Sequence, residues 1–320
     1  MKAVFLTAQG GIDALTYGDR PDPTPGPDEV IVRVRATSIN RRDLFERAGS
    51  HGVRLGSDHH VPGLDIAGEV VALGETAARR GRFGVGDRVF GVATGGAYAE
   101  LARADIAELQ PLPANISYEE GAAVPTVYAA AYRAMVVRAH MHMGEEVLVM
   151  AAGSGVGSAG ILLGKAAGCR VLTTASSAVK LEKAAALGAD VGINYRETPE
   201  FSRTVLEHTG GQGVDLVYEH IGVEVFEQAY RSLRVGGRLV TNGVTSGHMV
   251  QLHLGRLWTR EISLIGSTMH PAEDLAAIVP LLARQEVRGV IDRVLPLRDA
   301  AEGHRVLESN DFFGKVVLTV

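Results

Sequence analysis

The sequence is short of residues that several kinds of protein require. Its 320 residues include a single cysteine, Cys169. One thiol closes no internal disulfide and supplies no cysteine-rich zinc site, so Cys169 is expected to pack as a small apolar side chain. Basic residues are not in surplus: 32 Lys and Arg face 37 Asp and Glu, a formal net charge of −5. Nucleic-acid and polyanion binders usually carry the opposite balance, and no block of like charge reads as a tail or arm. Internal repeats and low-complexity segments are missing as well. The opening Met1-Lys-Ala-Val-Phe-Leu6 is too short an apolar run for a signal peptide and reads as a first strand. The stretch 147–164 holds no charge over 18 positions, near the lower limit for a membrane span. Glycines and serines interrupt it, so a strand, a turn and a helix start explain it better. The expectation is a cytoplasmic protein with a small-molecule substrate and with neither nucleic-acid nor membrane partners.

What is present divides into two styles, and the length suits two domains. The first third reads as β-rich. Val30, Val32 and Val34 alternate with Arg33 and Arg35, after a proline cluster at 21–27 that cannot join a central sheet. From about residue 120, helical and strand patterns alternate. A helix is expected over 118–138, strands at 146–151, 170–174, 190–194, 214–219, 237–241 and 262–266, and helices between them. Short apolar strands alternating with helices mean βαβ units and a parallel sheet. The last 50 residues return to the first style. The fold class is therefore α/β: a doubly wound, Rossmann-type sheet over 121–266, inserted into a β-rich domain of residues 1–120 plus 267–320.

Gly153-Ser154-Gly155-Val156-Gly157-Ser-Ala-Gly160 follows the apolar strand and opens a helix. The pattern G-x-G-x-x-G in that context binds dinucleotides. Glycine lets the backbone turn tightly and approach the pyrophosphate, and the helix N-terminus offers N–H groups to the anion. A tight turn with close helix–strand packing would use the same glycines. A site for NAD places an acid at the end of the second strand. Here that strand runs into Ala175-Ser176-Ser177-Ala-Val-Lys180, with no carboxylate. Ser176, Ser177 and Lys180, with Tyr195 and Arg196 at the end of the third strand, suit a 2′-phosphate. NADPH is the expected cofactor.

At this point the sequence resembles the medium-chain dehydrogenases/reductases. The similarity is carried by Val147–Ala159, Lys180–Asp190, Gly213–Val217 and Gly236–Val240. Gly63-Leu-Asp-Ile-Ala-Gly-Glu-Val70, Gly86-Asp-Arg-Val-Phe-Gly91 and Phe313-Gly-Lys-Val-Val-Leu318 resemble that superfamily's GroES-like catalytic domain. Zinc members place a cysteine and a histidine around their metal. Here Asn40 and Leu64 stand at the matching positions, and the four-cysteine structural lobe is absent. A leucine ligates nothing and an amide is a poor zinc ligand, so the resemblance runs to the zinc-free, quinone oxidoreductase-like branch.

That resemblance implies hydride transfer from NADPH to a quinone or an α,β-unsaturated carbonyl, acceptors that need no Lewis acid. Asn40 is implied to hydrogen-bond the substrate oxygen or the nicotinamide ribose, and Thr126 to lie near the nicotinamide. Asn242 and Gly243 end the fifth strand, and Asn310 and Lys315 match positions that close over the cofactor. His51 stands where some members carry a tyrosine and is the candidate proton donor. Asp43 and Asp65 are expected to hold local structure. The superfamily also implies a homodimer, paired through an edge strand at Glu261–Gly266. Two other functions stay open: an enoyl-thioester reductase, and a catalytically idle NADPH-binding sensor or structural protein.

Overall fold

The computed structural model describes residues 1–50, 55 and 59–320. The chain forms two compact units, Met1–Thr126 with Pro271–Val320, and Val127–His270. The sequence reading draws these boundaries at 120/121 and 266/267.

The first unit opens with a hairpin of β1 (Lys2–Leu6) and β2 (Leu15–Asp19). Then come β3 (Glu29–Ser38), β4 (Asp65–Leu73), β5 (Arg88–Val92), β6 (Leu101–Asp105) and β7 (Leu109–Pro111). The second unit holds β8 (Glu146–Val149), β9 (Arg170–Ala175), β10 (Val191–Asn194), β11 (Val214–Glu219), β12 (Leu233–Thr241) and β13 (Ser263–Gly266). The chain returns to the first unit with β14 (Ile291–Pro296) and β15 (Lys315–Thr319).

In the first unit the strands run in the order β14-β15-β3-β4-β5-β7, and β6 also pairs with β3. Strand β3 does most of the joining. Its first half pairs with β6, its last residues with β15, and nearly all of it with β4. Val32 and Val34 are buried while Arg33 and Arg35 are exposed, as alternation demands. Ile31, on the opposite face, is buried too. At its carboxyl end Ser38 lies opposite both Asp65 and Val317, so three distant segments meet there.

The second unit is a six-stranded sheet, parallel throughout, in the order β10-β9-β8-β11-β12-β13. This is the 3-2-1-4-5-6 order of a doubly wound dinucleotide fold. The inner strands are apolar runs buried on both faces, as such sheets require. The uncharged stretch 147–164 becomes β8, a turn and most of the helix Gly155–Ala166. No helix among the described residues is long and apolar enough to cross a membrane.

Several expected elements differ. The helix expected over 118–138 is three pieces: Tyr118–Ala122, Pro125–Tyr132 and a π-helical stretch, Arg133–Arg138. Pro125 offers no N–H to an incoming helix and is well suited to begin a new one. The last 50 residues are not mainly β: the helices Pro271–Ala283 and Ala300–Ser309 fill much of them. The edge strand begins at Ser263, one residue late, because the Ile262 N–H is spent on the Leu257 carbonyl at 3.0 Å, in the helix Leu254–Thr259 just before it.

One polar contact ties the middle of the sheet together. Beyond the β8–β11 ladder, His220 Nε2 lies 2.9 Å from the Met150 carbonyl oxygen, to which it donates. Burial pushes this imidazole down to about 4. An unfolded chain protonates it below about 6.5. Between those values the unfolded state takes up a proton that the folded state refuses, so stability falls as pH falls. The full effect is about 3 kcal/mol. His304 in the first unit, pushed down to about 3, acts in the same direction. Asp43, raised to about 7 by burial, keeps its proton in the folded state over the same window and acts oppositely. Urea denaturation of wild type and His220→Gln from pH 7 to pH 4.5 should therefore give converging stabilities, the variant losing less as the pH drops.

Candidate active site

The turn after β8 is built from backbone constraints. Ala151 adopts φ +48°, a left-handed conformation unusual for a residue with a side chain. Its N–H donates to Thr174 Oγ1 at 3.2 Å. Ser154 caps the helix Gly155–Ala166: its hydroxyl donates to the Ala151 carbonyl and accepts the Gly157 N–H, both at 2.9 Å. A Cβ on Gly157 would stand 2.2 Å from the Ala151 oxygen, so only glycine fits. At Gly160 it would press on the Tyr218 ring and Val149, and at Gly164 on Val171 at 2.8 Å. Two of the glycines thus serve close helix–sheet packing and one serves the turn. Gly153 is buried in the turn, and Gly155 and Val156 are half-buried at the helix start. The first N–H groups of a helix have no partner within it, so this end suits the pyrophosphate of a dinucleotide.

The neighbouring end of β9 carries no carboxylate. β9 ends at Ala175 and is followed by half-buried Ser176. Ser177 Oγ accepts the Lys180 N–H at 3.4 Å as the cap of the helix Ala178–Ala186, so it is engaged locally. Lys180 sits in the first turn of that helix, half-buried. Tyr195 follows β10, and its N–H donates to the Ala175 carbonyl at 3.2 Å, which sets the two strand ends side by side. The nearest acid in sequence, Glu197, accepts from Asn194 Nδ2 at 2.7 Å. After β12, Asn242 turns its amide inward, donating to Tyr218 Oη at 2.9 Å and Ala130 O at 3.2 Å. A Cβ on Gly243 would lie 2.8 Å from the His220 carbonyl oxygen.

In the first unit, Asn40, Thr126 and Lys315 converge on a residue expected to be merely structural, Asp65. Its carboxylate is fully buried. Oδ2 accepts from Ser38 Oγ at 2.8 Å, Asn40 Nδ2 at 2.9 Å and Lys315 Nζ at 3.2 Å. Oδ1 accepts the Thr126 N–H at 2.9 Å and the Thr126 hydroxyl. Lys315 Nζ also donates to Asn40 Oδ1 at 2.6 Å. The Asn40 amide is therefore committed at both ends and is not a freely presented group. Lys315 is buried and ion-paired with Asp65.

A second buried chain lies behind Asn40. Asp43 Oδ2 accepts the Asn40 N–H and the Tyr98 hydroxyl, each at 2.8 Å, and Oδ1 has no partner among the described residues. Burial raises Asp43 to about 7. Burial and the neighbouring Asp43 push Tyr98 well above the usual phenol value. His304 stands 3.3 Å from Tyr98 Oη on one side and 3.3 Å from the Arg47 guanidinium on the other. Arg47 pairs with Glu308. Asn310 does not join the Asp65 cluster. It closes the helix Ala300–Ser309 with φ +57° and accepts from Arg41. His51 lies outside the described residues. Tyr98, His304, His220 and the buried Glu219 escaped the sequence reading, because single polar residues within apolar runs carry no motif. Among the described residues no three His, Cys, Asp or Glu side chains are grouped to hold a metal ion.

Residues 26–114 match the alcohol dehydrogenase GroES-like domain, and residues 155–284 match the family described as zinc-binding dehydrogenase. A quinone oxidoreductase of Lama guanicoe is 32% identical, over 99% of this chain and 97% of its own. A solved structure described as an NAD-dependent alcohol dehydrogenase superposes with a TM-score of 0.94 at 37% identity, over all of both chains. The Escherichia coli quinone oxidoreductase complexed with NADPH superposes with a TM-score of 0.90 at 26% identity, over all of both chains. With its GroES-like and Rossmann units, this chain belongs to the medium-chain dehydrogenase/reductase superfamily and is an oxidoreductase of its quinone oxidoreductase-like branch.

Proposed function

We propose that the chain transfers hydride from NADPH to a quinone or an α,β-unsaturated carbonyl, without zinc. The observation that carries this reading is the pairing of a preformed phosphate turn with an acid-free, hydroxyl-bearing end of β9, beside which Tyr195 follows β10. Ser154 to Gly157 would hold the pyrophosphate, and Ser176, Lys180 and Tyr195 the 2′-phosphate. The reduced nicotinamide supplies the hydride; the protein orients the reactants and excludes water. Zinc independence is supported by Asn40 and Leu64 at positions where zinc members carry ligands. The quinone oxidoreductase relatives favour the acceptor class, whereas the neighbour described as an NAD-dependent alcohol dehydrogenase keeps alcohols and NAD in the test.

Following NADPH absorbance with quinones, enones, enoyl thioesters and, in reverse, alcohols should show turnover with the first two and none with alcohols. Prolonged chelation should leave that turnover intact. Alcohol oxidation lost on chelation would overturn the reading, thioester consumption would redirect it, and NADPH binding without turnover of anything would leave a sensor. NADPH should bind more tightly than NADH, and Lys180→Ala should weaken NADPH alone by about 1.5–3 kcal/mol, roughly ten- to a hundredfold.

We also read β13 as the joint of a homodimer. It is an edge strand of the parallel sheet, with Ser263, Leu264 and Gly266 exposed. An apolar edge calls for a partner, and a twofold mate satisfies both edges together. Sedimentation at micromolar concentration should give a dimer mass, and Leu264→Pro should reduce it to one chain. A wild type that sediments as one chain would exclude the joint.

A further inference from the structure

Counting donors in the Asp65 cluster leaves one over. Thr126 spends its N–H and its hydroxyl proton on Asp65, and Ser38 spends its hydroxyl proton there too. Asn40 gives one Nδ2–H to Asp65 and turns the other toward the Ser38 carbonyl at 3.5 Å, while Lys315 occupies its Oδ1. An ammonium has three donors and no acceptor. Lys315 has two protein acceptors, Asn40 Oδ1 and Asp65 Oδ2, and none among the described residues for its third N–H. Yet the side chain is only 4% exposed. A buried, unspent charged donor costs free energy until something accepts from it.

We propose that Lys315 is a catalytic residue whose third N–H holds the oxygen of the carbonyl acceptor as negative charge develops there. This rests on the reading of the chain as a reductase of such acceptors, and it moves the oxygen-binding role from Asn40 to Asn40's partner. Hydride adds to a carbon of the acceptor, an electron pair shifts onto the carbonyl oxygen, and that oxygen then takes one proton from solvent. The acceptor gains two electrons at the expense of the reduced nicotinamide. A fixed cation is suited to this step because it is oriented before charge appears. Asn40 and Asp65 hold the ammonium from two sides. Asp65 offsets its charge, and four other donors already share that carboxylate. The ammonium also stands 2.6 Å from Asn40, at one position where zinc members of the superfamily carry a metal ligand, and its other partner, Asp65, directly follows Leu64, which occupies the second.

The test compares wild type with Lys315→Met and with Asp65→Asn/Lys315→Met, which removes both charges at similar volume and so guards against simple misfolding. Three quantities are read: kcat with a quinone, NADPH affinity from its fluorescence, and the ionisation of 4-nitrophenol bound in the presence of NADP⁺. The nitrophenolate oxygen imitates the charged acceptor and reports by its visible absorbance. Both variants should lose kcat about a hundredfold or more, hold NADPH affinity within about twofold, and lose wild type's preference for ionised nitrophenol. Recovery of kcat in the double variant would reduce Lys315 to a structural role. NADPH affinity falling in step with kcat would make it a cofactor ligand, as the resemblance implies. Should wild type reduce no carbonyl acceptor, the underlying reading fails, and the nitrophenol titration still judges Lys315. A wild type that binds phenol and phenolate alike overturns the proposal.

Discussion

A carboxylate without access to water organises the unit built from the two ends of the chain. Burying a lone carboxylate costs several kcal/mol, so Asp65 exists only with its partners in place. Those partners come from the end of β3, the segment just after it, the start of β15 and Thr126. Their convergence fixes the relative register of β3, β4 and β15 more strictly than apolar packing, which tolerates repacking of similar volume. The same constraint explains why the Asn40 amide cannot rotate: each of its polar ends answers to a group that Asp65 or Lys315 also needs.

The second unit depends on backbone shape more than on charge. Its sheet reverses direction of winding between β8 and β11, and ligands of such sheets settle outside the carboxyl ends of the strands at that point. His220 reaches across the same gap to the Met150 carbonyl. Its low affinity for protons lets it act as a neutral donor across the usual pH range. Glu219, one residue earlier, accepts the N–H groups of Ile221 and Gly222, and Thr241 donates to its other oxygen. The floor of the gap is thus held by side chains whose polar atoms face inward, while the proposed pyrophosphate recognition falls to the backbone of the Ala151–Gly157 turn.

The parts legible in sequence are those whose physics is local. Glycine spacing after an apolar strand announces the turn because sterics and helix termini act over a few residues. The neutral end of β9 is visible for the same reason. The break at Pro125 was also local, but the helical pattern on both sides hid it. Proline at the start of Pro271–Ala283 and the acids Glu273 and Asp274 are local helix-start signals too, which the reading of the last 50 residues as β-rich passes over. The Asp65 cluster was not legible as a hub. Its donors lie between 25 and 250 positions away in the chain, and no spacing rule spans that distance. The motif residues Asn40, Thr126 and Lys315 were found singly through the resemblance, without the carboxylate that joins them.

Ala151 bears on when ordering entropy is spent. A non-glycine residue at φ +48° carries strain of about 1–2 kcal/mol. A glycine there would relieve it but would admit many more backbone conformations. The protein instead keeps the methyl group and holds the peptide with Thr174, Ser154 and, one residue earlier, His220. Folding has then already selected the turn's shape before any nucleotide arrives. The dinucleotide proposed for this site would meet a rigid rim and lose little of its binding energy to ordering the loop. In exchange, the rim has little freedom to adapt to anions of a different shape.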